Sequence, residues 1–396
     1  MKTLETRLAA IEQKIRGGEP ITVMIMGLGS VGTYLLDYLI SADMGVPLAV
    51  AAAGRKRESL EMDVNIVRIS ALIRGQNKSA VTIHADCDFY DAAKTAECLR
   101  AHQPDFIVNT SRVYSRLKYG SLSWNNLRAY GIWTPLAISI IRHIMEACEA
   151  AESGAVVINA SYSDAVIPWL KSAGKPYPDF GSGNLNHLIP RIQFAAAELA
   201  GIHDYWNIHA RLATAHFHDV VISKEGQTEG LPPLLSLSYK GSPLHLNTAE
   251  IYTRCKIPMP VDAKRNMMNA SSNFDIIRRI IRALAKKEKQ IFHAPGVFGE
   301  IGGYPVCVDG ETCTAYIDES TFNLNEMRDV NKKSLALDGI ESIENGVLSY
   351  TDALIEKTRT AFKAELPKRV PFDSIDDTAH FIIERIIKPN TKGNAD

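Results

Sequence analysis

Met24-Ile25-Met26-Gly27-Leu28-Gly29-Ser30-Val31-Gly32 decides the first half of this chain. An apolar strand runs straight into G-x-G-x-x-G, and the mainly apolar residues 33–40 continue as a helix. In that setting the pattern has a mechanism. Gly27 permits a tight turn, Gly29 lets backbone approach a pyrophosphate, and Gly32 lets the helix pack against the strand. The helix N-terminus adds free N–H groups and positive dipole density. The stretch predicts a dinucleotide site formed by Gly27, Gly29, Ser30, Val31 and Gly32.

Working outward, strand and helix patterns alternate. Strands are expected at 21–26, 48–53, 81–84, 106–109 and 155–159. Helices are expected at 31–42, 58–74, 91–102 and 134–152. The uniformly apolar Leu48–Ala53 suits a strand buried on both faces. The alternation predicts an α/β fold, a doubly wound parallel sheet over residues 21–159. Beyond Asn159, helical patterns (185–200, 273–289) mix with antiparallel-looking strands (206–213, 304–308, 314–317). Residues 160–388 therefore read as a second, α+β domain. Within it, 226–260 looks like a loop-rich insertion, and 389–396 like a frayed tail. At the other end, Leu4, Leu8, Ile11 and Ile15 share one face of an amphipathic helix within residues 1–20. It is expected to pack on its own domain, with a subunit-contacting arm as the alternative.

The chain has 396 residues, 46% of them hydrophobic, enough for two domains with a real core. A net charge of −1 gives no field that favours nucleic acid or an anionic membrane. Apolar runs are broken by charge before membrane-spanning length, and the first 18 residues do not read as a signal peptide. Cysteines 87, 98, 148, 255, 307 and 313 are scattered and form no C-x-x-C pair. A reduced, cytoplasmic protein without a metal is the expectation.

The residue that distinguishes the two nicotinamide dinucleotides normally ends the second strand. Here that place reads Ala51-Ala52-Ala53-Gly54-Arg55-Lys56-Arg57, with no carboxylate before Glu58. A carboxylate would repel a 2′-phosphate, whereas Arg55, Lys56 and Arg57 would grip it. Basic residues are unfavourable at a helix N-terminus, so the cluster wants a reason. The expected cofactor is NADP(H), with NAD(H) as the alternative.

The second half carries a resemblance. Val156-Val157-Ile158-Asn159 ends the fifth strand in asparagine; Leu185–Ala200 carries Arg191; Thr214-Ala215-His216-Phe217-His218-Asp219 follows. With Leu60-Glu61-Met62-Asp63-Val64 and the run Ala294–Val306, this order resembles the lactate/malate dehydrogenase superfamily over roughly residues 21–340. The resemblance implies a Rossmann domain followed by a catalytic α+β domain. It implies hydride transfer between NADP(H) and a hydroxy, keto or imino acid, and a homo-oligomer. It assigns Asn159 to the substrate oxygen and the nicotinamide, Arg191 to the substrate carboxylate, and His216 to the proton. Arg112 or Arg116, in the loop after the fourth strand, would polarise the carbonyl. Asn109 and Asn159 complete the cofactor set with Gly54 and the basic residues. The sequence departs from the family where an aspartate should orient the histidine: Leu188 stands there. Asn186, His187 or Asp219 would take that role. Ala160, Gln193 and Phe217 also differ from the pattern.

Other readings follow from single features. His216 and His218, at i and i+2 on a strand, could face a metal with His209. Tyr114–Lys118 and Tyr252–Lys256 match the Tyr-x-x-x-Lys spacing of short-chain dehydrogenases and epimerases. Asn186-His187 faintly resembles a metal- and dinucleotide-dependent glycosidase. A nucleotide sensor without chemistry keeps the fold alone. Asp338-Gly339 reads as a helix stop.

Overall fold

Helix α1 (Leu4–Gly17) leads into β1 (Ile21–Met26), α2 (Ser30–Ser41), β2 (Leu48–Ala53), α3 (Arg57–Ile73), β3 (Ala80–His84), α4 (Ala92–His102) and β4 (Phe106–Asn109). Then come α5 (Thr134–Ala150), β5 (Val156–Asn159), α6 (Ser163–Ser172) and β6 (Phe180–Gly181). These strands form one parallel sheet in the order β3-β2-β1-β4-β5-β6. That is the strand order of a dinucleotide-binding doubly wound sheet, whose ligand crevice opens where the order reverses, at β1 and β4. The structure is a computed structural model and describes residues 1–76, 79–114, 120 and 122–391.

The strands are apolar on both faces because each face has its own core. Met24, Met26, Ile107 and Val157 point to one side, against α4 and α5. Val23, Ile25, Val108 and Ile158 point to the other, against α1 and α2. Leu4, Leu8 and Ile11 of α1 are buried in that second core. The apolar stripe of the N-terminal helix is thus used within the chain, packed on the helix Asn266–Lys286 and the strand Thr314–Ile317 of the second half as well as on β1.

The parallel sheet runs past residue 159, because β6 pairs with β5 at Ile158↔Phe180 and Asn159↔Gly181. A two-residue strand carries too little pattern to be seen in sequence. Next come α7 (Leu185–Ala200), β7 (Ile208–Ala213), α8 (His216–Glu225), β8 (Leu234–Tyr239), β9 (Ser242–Pro243) and α9 (Thr248–Arg254). The stretch expected to be a loop-rich insertion instead pairs β8 with both β7 and β9. Serines at alternate positions of β8 and flanking glycines and prolines hid it. Helix α10 (Asn266–Lys286) precedes the antiparallel sheet of β10 (Lys289–Pro295), β11 (Gly303–Asp309) and β12 (Thr314–Ile317). Helix α11 (Leu324–Leu337) is followed by β13 (Ile340–Glu344), β14 (Val347–Tyr350), α12 (Asp352–Phe362), β15 (Arg369–Pro371) and α13 (Ile375–Phe381). Ile375, Ile382 and Ile386 return to the first half and share a core with Ile138 and Ile141 of α5. Among the described residues, no helix is long and apolar enough to cross a membrane.

Candidate active site

A cleft of about 870 Å³ runs from the glycine turn to the second half of the chain. Its floor is the expected motif. Gly27 has φ +95°, a left-handed conformation that favours glycine. A Cβ at Gly32 would collide with the Gly27 carbonyl oxygen. Gly29 caps α2 with no side-chain hydrogen bond, and a Cβ built on it meets no atom within 4 Å. Uncapped N–H groups therefore face open space at the crevice. A pyrophosphate fits that cradle: it supplies the acceptors a side chain does not.

The cleft wall beside this turn contains Gly54, Arg55, Lys56 and Ser59. Arg57 is turned away and pairs with Glu61 at 3.4 Å on the surface of α3. Asp88, Phe89 and Tyr90 form the wall beyond β3. Among the described lining residues, Arg55, Lys56, Arg112, Lys224 and Arg265 outnumber Asp88, Asp219 and Asp262, so the cleft favours an anion.

At the other end His216 opens α8 and is almost completely buried. Its Nδ1–H donates to Asp338 Oδ2 at 2.9 Å. That bond fixes the tautomer and leaves Nε2 as the unprotonated nitrogen of a ring that lines the cleft. Asp338 is fully buried at the end of α11. It also accepts the Tyr130 N–H and the Tyr162 hydroxyl, each at 2.7 Å. Three donors hold this carboxylate in one orientation. Burial, then the charge of Asp338, drives the Tyr162 hydroxyl far above the usual tyrosine range, so it remains a donor. The rings of Tyr130 and Tyr162 sit edge-on to the imidazole at 4.8 and 5.1 Å.

Asp164 fastens the start of α8. Its Oδ1 accepts the His216 N–H at 3.0 Å, and its other oxygen accepts the Asn184 side-chain amide. Burial raises this carboxyl to about 6. Asn184 and Tyr162 both adopt positive φ, 29° and 44°, uncommon for side-chain-bearing residues. Such strain gathers where the surrounding structure fixes a site.

A second histidine–carboxylate pair lies nearby. His187 Nδ1 is 3.5 Å from Asp219, and both line the cleft. His187 Nε2 is buried without a partner. Burial would raise Asp219, but the hydrogen bond and charge of His187, with the charges of His216 and Arg191, hold it below the usual carboxylate range.

Several expected site residues lie elsewhere. Arg191 is buried on α7 and donates to the carbonyls of Cys255 and Ile257 at 2.9 and 3.3 Å and to Met259 Sδ at 3.0 Å. It lines a second chamber of about 510 Å³, which shares His187 and Met268 with the cleft. Two of its nitrogens are held by the 255–259 turn, while Nε is buried without a partner, so it does not face the cleft beside His216 directly. Asn159 is fully buried, and its amide is used within the fold. Oδ1 accepts Asn109 Nδ2 at 2.9 Å, and Nδ2 donates to the Ser161 carbonyl and Ser163 Oγ. Asn109 is spent likewise, accepting the Ser111 N–H at 3.1 Å. These amides brace the strand ends rather than line the cleft. Arg112 lines the cleft and reaches the Ala160 carbonyl at 3.4 Å; Arg116 lies outside the described residues.

The metal alternative at His209, His216 and His218 dissolves because α8 begins at His216, so i and i+2 diverge. His218 Nε2–H donates to the Leu231 carbonyl, and Nδ1 lies 2.7 Å from both the Thr214 and Ser334 hydroxyls. Burial lowers it to about 4. Tyr252 is buried away from the cleft, and Lys118 lies outside the described residues. Asn186, expected as one substitute for the missing aspartate, donates to Ser272 and the His293 carbonyl instead.

No protein-family model matches the sequence, and no curated protein matches it. Solved structures do. The lactate dehydrogenase of Cryptosporidium parvum, solved with lactic acid and nicotinamide adenine dinucleotide, aligns with 81% of this chain and 98% of its own at a TM-score of 0.51 and 16% identity. The chain has the fold of the lactate and malate dehydrogenases. Malate dehydrogenase from Plasmodium falciparum aligns with 87% of this chain and 99% of its own, with a TM-score of 0.52 and 15% identity. A lactate dehydrogenase from a Medee basin deep-sea metagenome covers 80% and 96%, with a TM-score of 0.51 and 15% identity. At these identities the likeness is one of fold, and the resemblance is distant.

Proposed function

We propose that this chain is a nicotinamide-dinucleotide-dependent oxidoreductase. It interconverts the hydroxyl and keto (or imino) forms of a small carboxylic acid, and it prefers NADP(H) to NAD(H). The observation that carries the reading is the His216–Asp338 pair on the same cleft as the Gly27–Gly32 turn. The fold shared with lactate and malate dehydrogenases supports it.

The uncapped turn of α2 would hold the pyrophosphate, and Arg55 and Lys56 a 2′-phosphate. The bound dinucleotide supplies hydride exchange at its nicotinamide. His216 Nε2 takes the proton of the hydroxyl, or returns it in reverse. Asp338 holds the ring and stabilises the imidazolium that forms. Arg112 and Arg265 are the cleft cations that would fix the substrate carboxylate. Arg191 supports that end indirectly, through the 255–259 turn.

The test is a fluorescence titration with NADPH and NADH, followed by turnover on a panel of 2-keto and imino acids. NADPH is expected to bind at least about tenfold tighter, since a charged hydrogen bond contributes about 1.5–3 kcal/mol. Arg55→Glu should erase the difference. Equal or tighter NADH binding by the unaltered protein overturns the cofactor preference. Failure to bind either dinucleotide overturns the whole reading. We further propose a homo-oligomer.

A further inference from the structure

At the outer edge of the parallel sheet, on the far side of β2 from the glycine turn, three metal-binding side chains meet. His84 is the last residue of β3, which pairs with β2 as the sheet edge. Cys98 and His102 stand four residues apart on α4, hence on one face of that helix. His84 Nδ1 and His102 Nε2 lie 3.2 Å apart, with the rings edge-on. The donor atoms of His84, Cys98 and His102 all lie within 4.8 Å of one another.

We infer that His84, Cys98 and His102 form a zinc-class metal site, open at a fourth position. Two imidazole nitrogens and one thiolate are a borderline-soft donor set, suited to Zn²⁺ and poorly suited to Mg²⁺ or Ca²⁺. Tetrahedral zinc with bonds of about 2.0–2.3 Å separates its ligands by about 3.3–3.6 Å. The two nitrogens already stand near that separation; Cys98 Sγ, within 4.8 Å of both and hydrogen-bonded to Cys87, moves toward them to close the triangle. Without a metal, one of the two facing nitrogens donates its N–H to the other; a cation would instead take a lone pair from each. Cys98 is fully buried, whereas the two histidines are half-exposed, so the ion enters from the histidine side and a water completes the shell. Sequence spacing hides the site, because no C-x-x-C pair marks it and its first ligand comes from a different element. The site would fasten the C-terminal turn of α4 to β3, directly before the Asp88–Tyr90 segment of the cleft wall. It does not depend on the proposed chemistry.

The experiment uses untagged full-length protein, purified without chelator and assayed for metals by mass spectrometry. About one zinc per chain is expected. After stripping, Co²⁺ alone should produce a thiolate-to-cobalt band in the near ultraviolet together with tetrahedral ligand-field bands. Added Zn²⁺ should raise Tm by several degrees, because it binds the folded state preferentially. C98S should lose the charge-transfer band. The double variant H84Q/H102Q alters only half-exposed side chains and leaves the core intact if C98S does not fold. It should weaken Zn²⁺ binding by at least about tenfold, the effect seen even for loss of an outer partner. Protein that carries no zinc and gives no cobalt band at saturating Co²⁺ overturns the site. So does a band that survives both C98S and H84Q/H102Q.

Discussion

His216 meets its carboxylate across 122 residues of chain, and that separation explains what could be read at the residue scale. The histidine itself was legible, because it follows an asparagine-ended strand and an arginine-bearing helix in family-like order. Its partner was not, because the candidates near Arg191 and the histidines were Asn186, His187 and Asp219, with Leu188 at the family's position. Asp338 reads as a helix stop, and it is one. The signal that remained was its charge: an aspartate at a helix C-terminus opposes the dipole and needs compensation. Here Tyr130, Tyr162 and His216 provide it. Asp338→Asn keeps the shape and removes the charge that stabilises the imidazolium. Turnover should fall about 10²–10⁴-fold, in the range of a general acid or base, while dinucleotide affinity is unchanged. His216→Asn should do the same, and the double variant should fall little further, because the two act as a unit. Steady-state kinetics with fluorescence titration checks this. Full additivity of the two losses would separate the pair.

Elements were legible where a period repeats over several residues. Six-residue β1 and β2 and sixteen-residue α7 stand at their expected bounds, whereas the two-residue β6 and serine-alternating β8 do not announce themselves. The N-terminal helix shows a further limit. Its apolar stripe predicts burial, but not the partner of its one buried charge. Arg7 donates to Asp179 at 2.5 and 2.6 Å and to the Ala155 carbonyl at 2.7 Å. Asp179 in turn accepts the Val157 N–H at 2.8 Å. The pair ties α1 to β5 and to the segment entering β6. Arg7→Ala leaves a buried carboxylate without its counter-charge, which should cost about 3–5 kcal/mol. Urea unfolding checks the loss; a midpoint unchanged from the unaltered protein would show the pair to be incidental. Deleting residues 1–18 should likewise destabilise the sheet without changing the oligomeric state, because the stripe is consumed inside the chain.

Across the whole molecule, buried titrating groups set the acid limit, and one exposed face offers the proposed homo-oligomer its contact. Burial, with the charges of Arg211 and Arg279, lowers His293 to about 3, and burial lowers His218 to about 4. Unfolded, each titrates near 6.5, so below about pH 6.5 the unfolded chain binds more protons and stability falls as pH drops toward 4. Asp164 works in reverse: raised to about 6, it favours the fold as it protonates between about pH 6 and 4. Its shift is smaller than the two histidine shifts together, so Tm should drop on acidification from pH 7 to pH 5, and a flat or rising Tm would contradict this. For the proposed homo-oligomer, α3 is the contact we propose. Its buried side carries Leu60, Val64, Val67 and Ala71, yet Met62, Ile66, Ile69, Leu72 and Ile73 are 57–82% exposed. A second copy is the fitting cover, since a two-fold axis lays one α3 antiparallel on another. That arrangement sets the first half, where Glu58 and Asp63 remain beside the Arg57–Glu61 pair, against Arg68 of the second half. Burying such a face is favourable at about 25 cal/mol per Å² of apolar surface. The double variant Ile66→Lys/Ile69→Lys places like charges at the axis without touching the core. Sedimentation at micromolar concentration should show a dimer for the unaltered chain and a monomer for the variant, with near-equal helical content. A monomeric unaltered chain, or a variant that stays dimeric, would show that α3 faces water rather than a second copy.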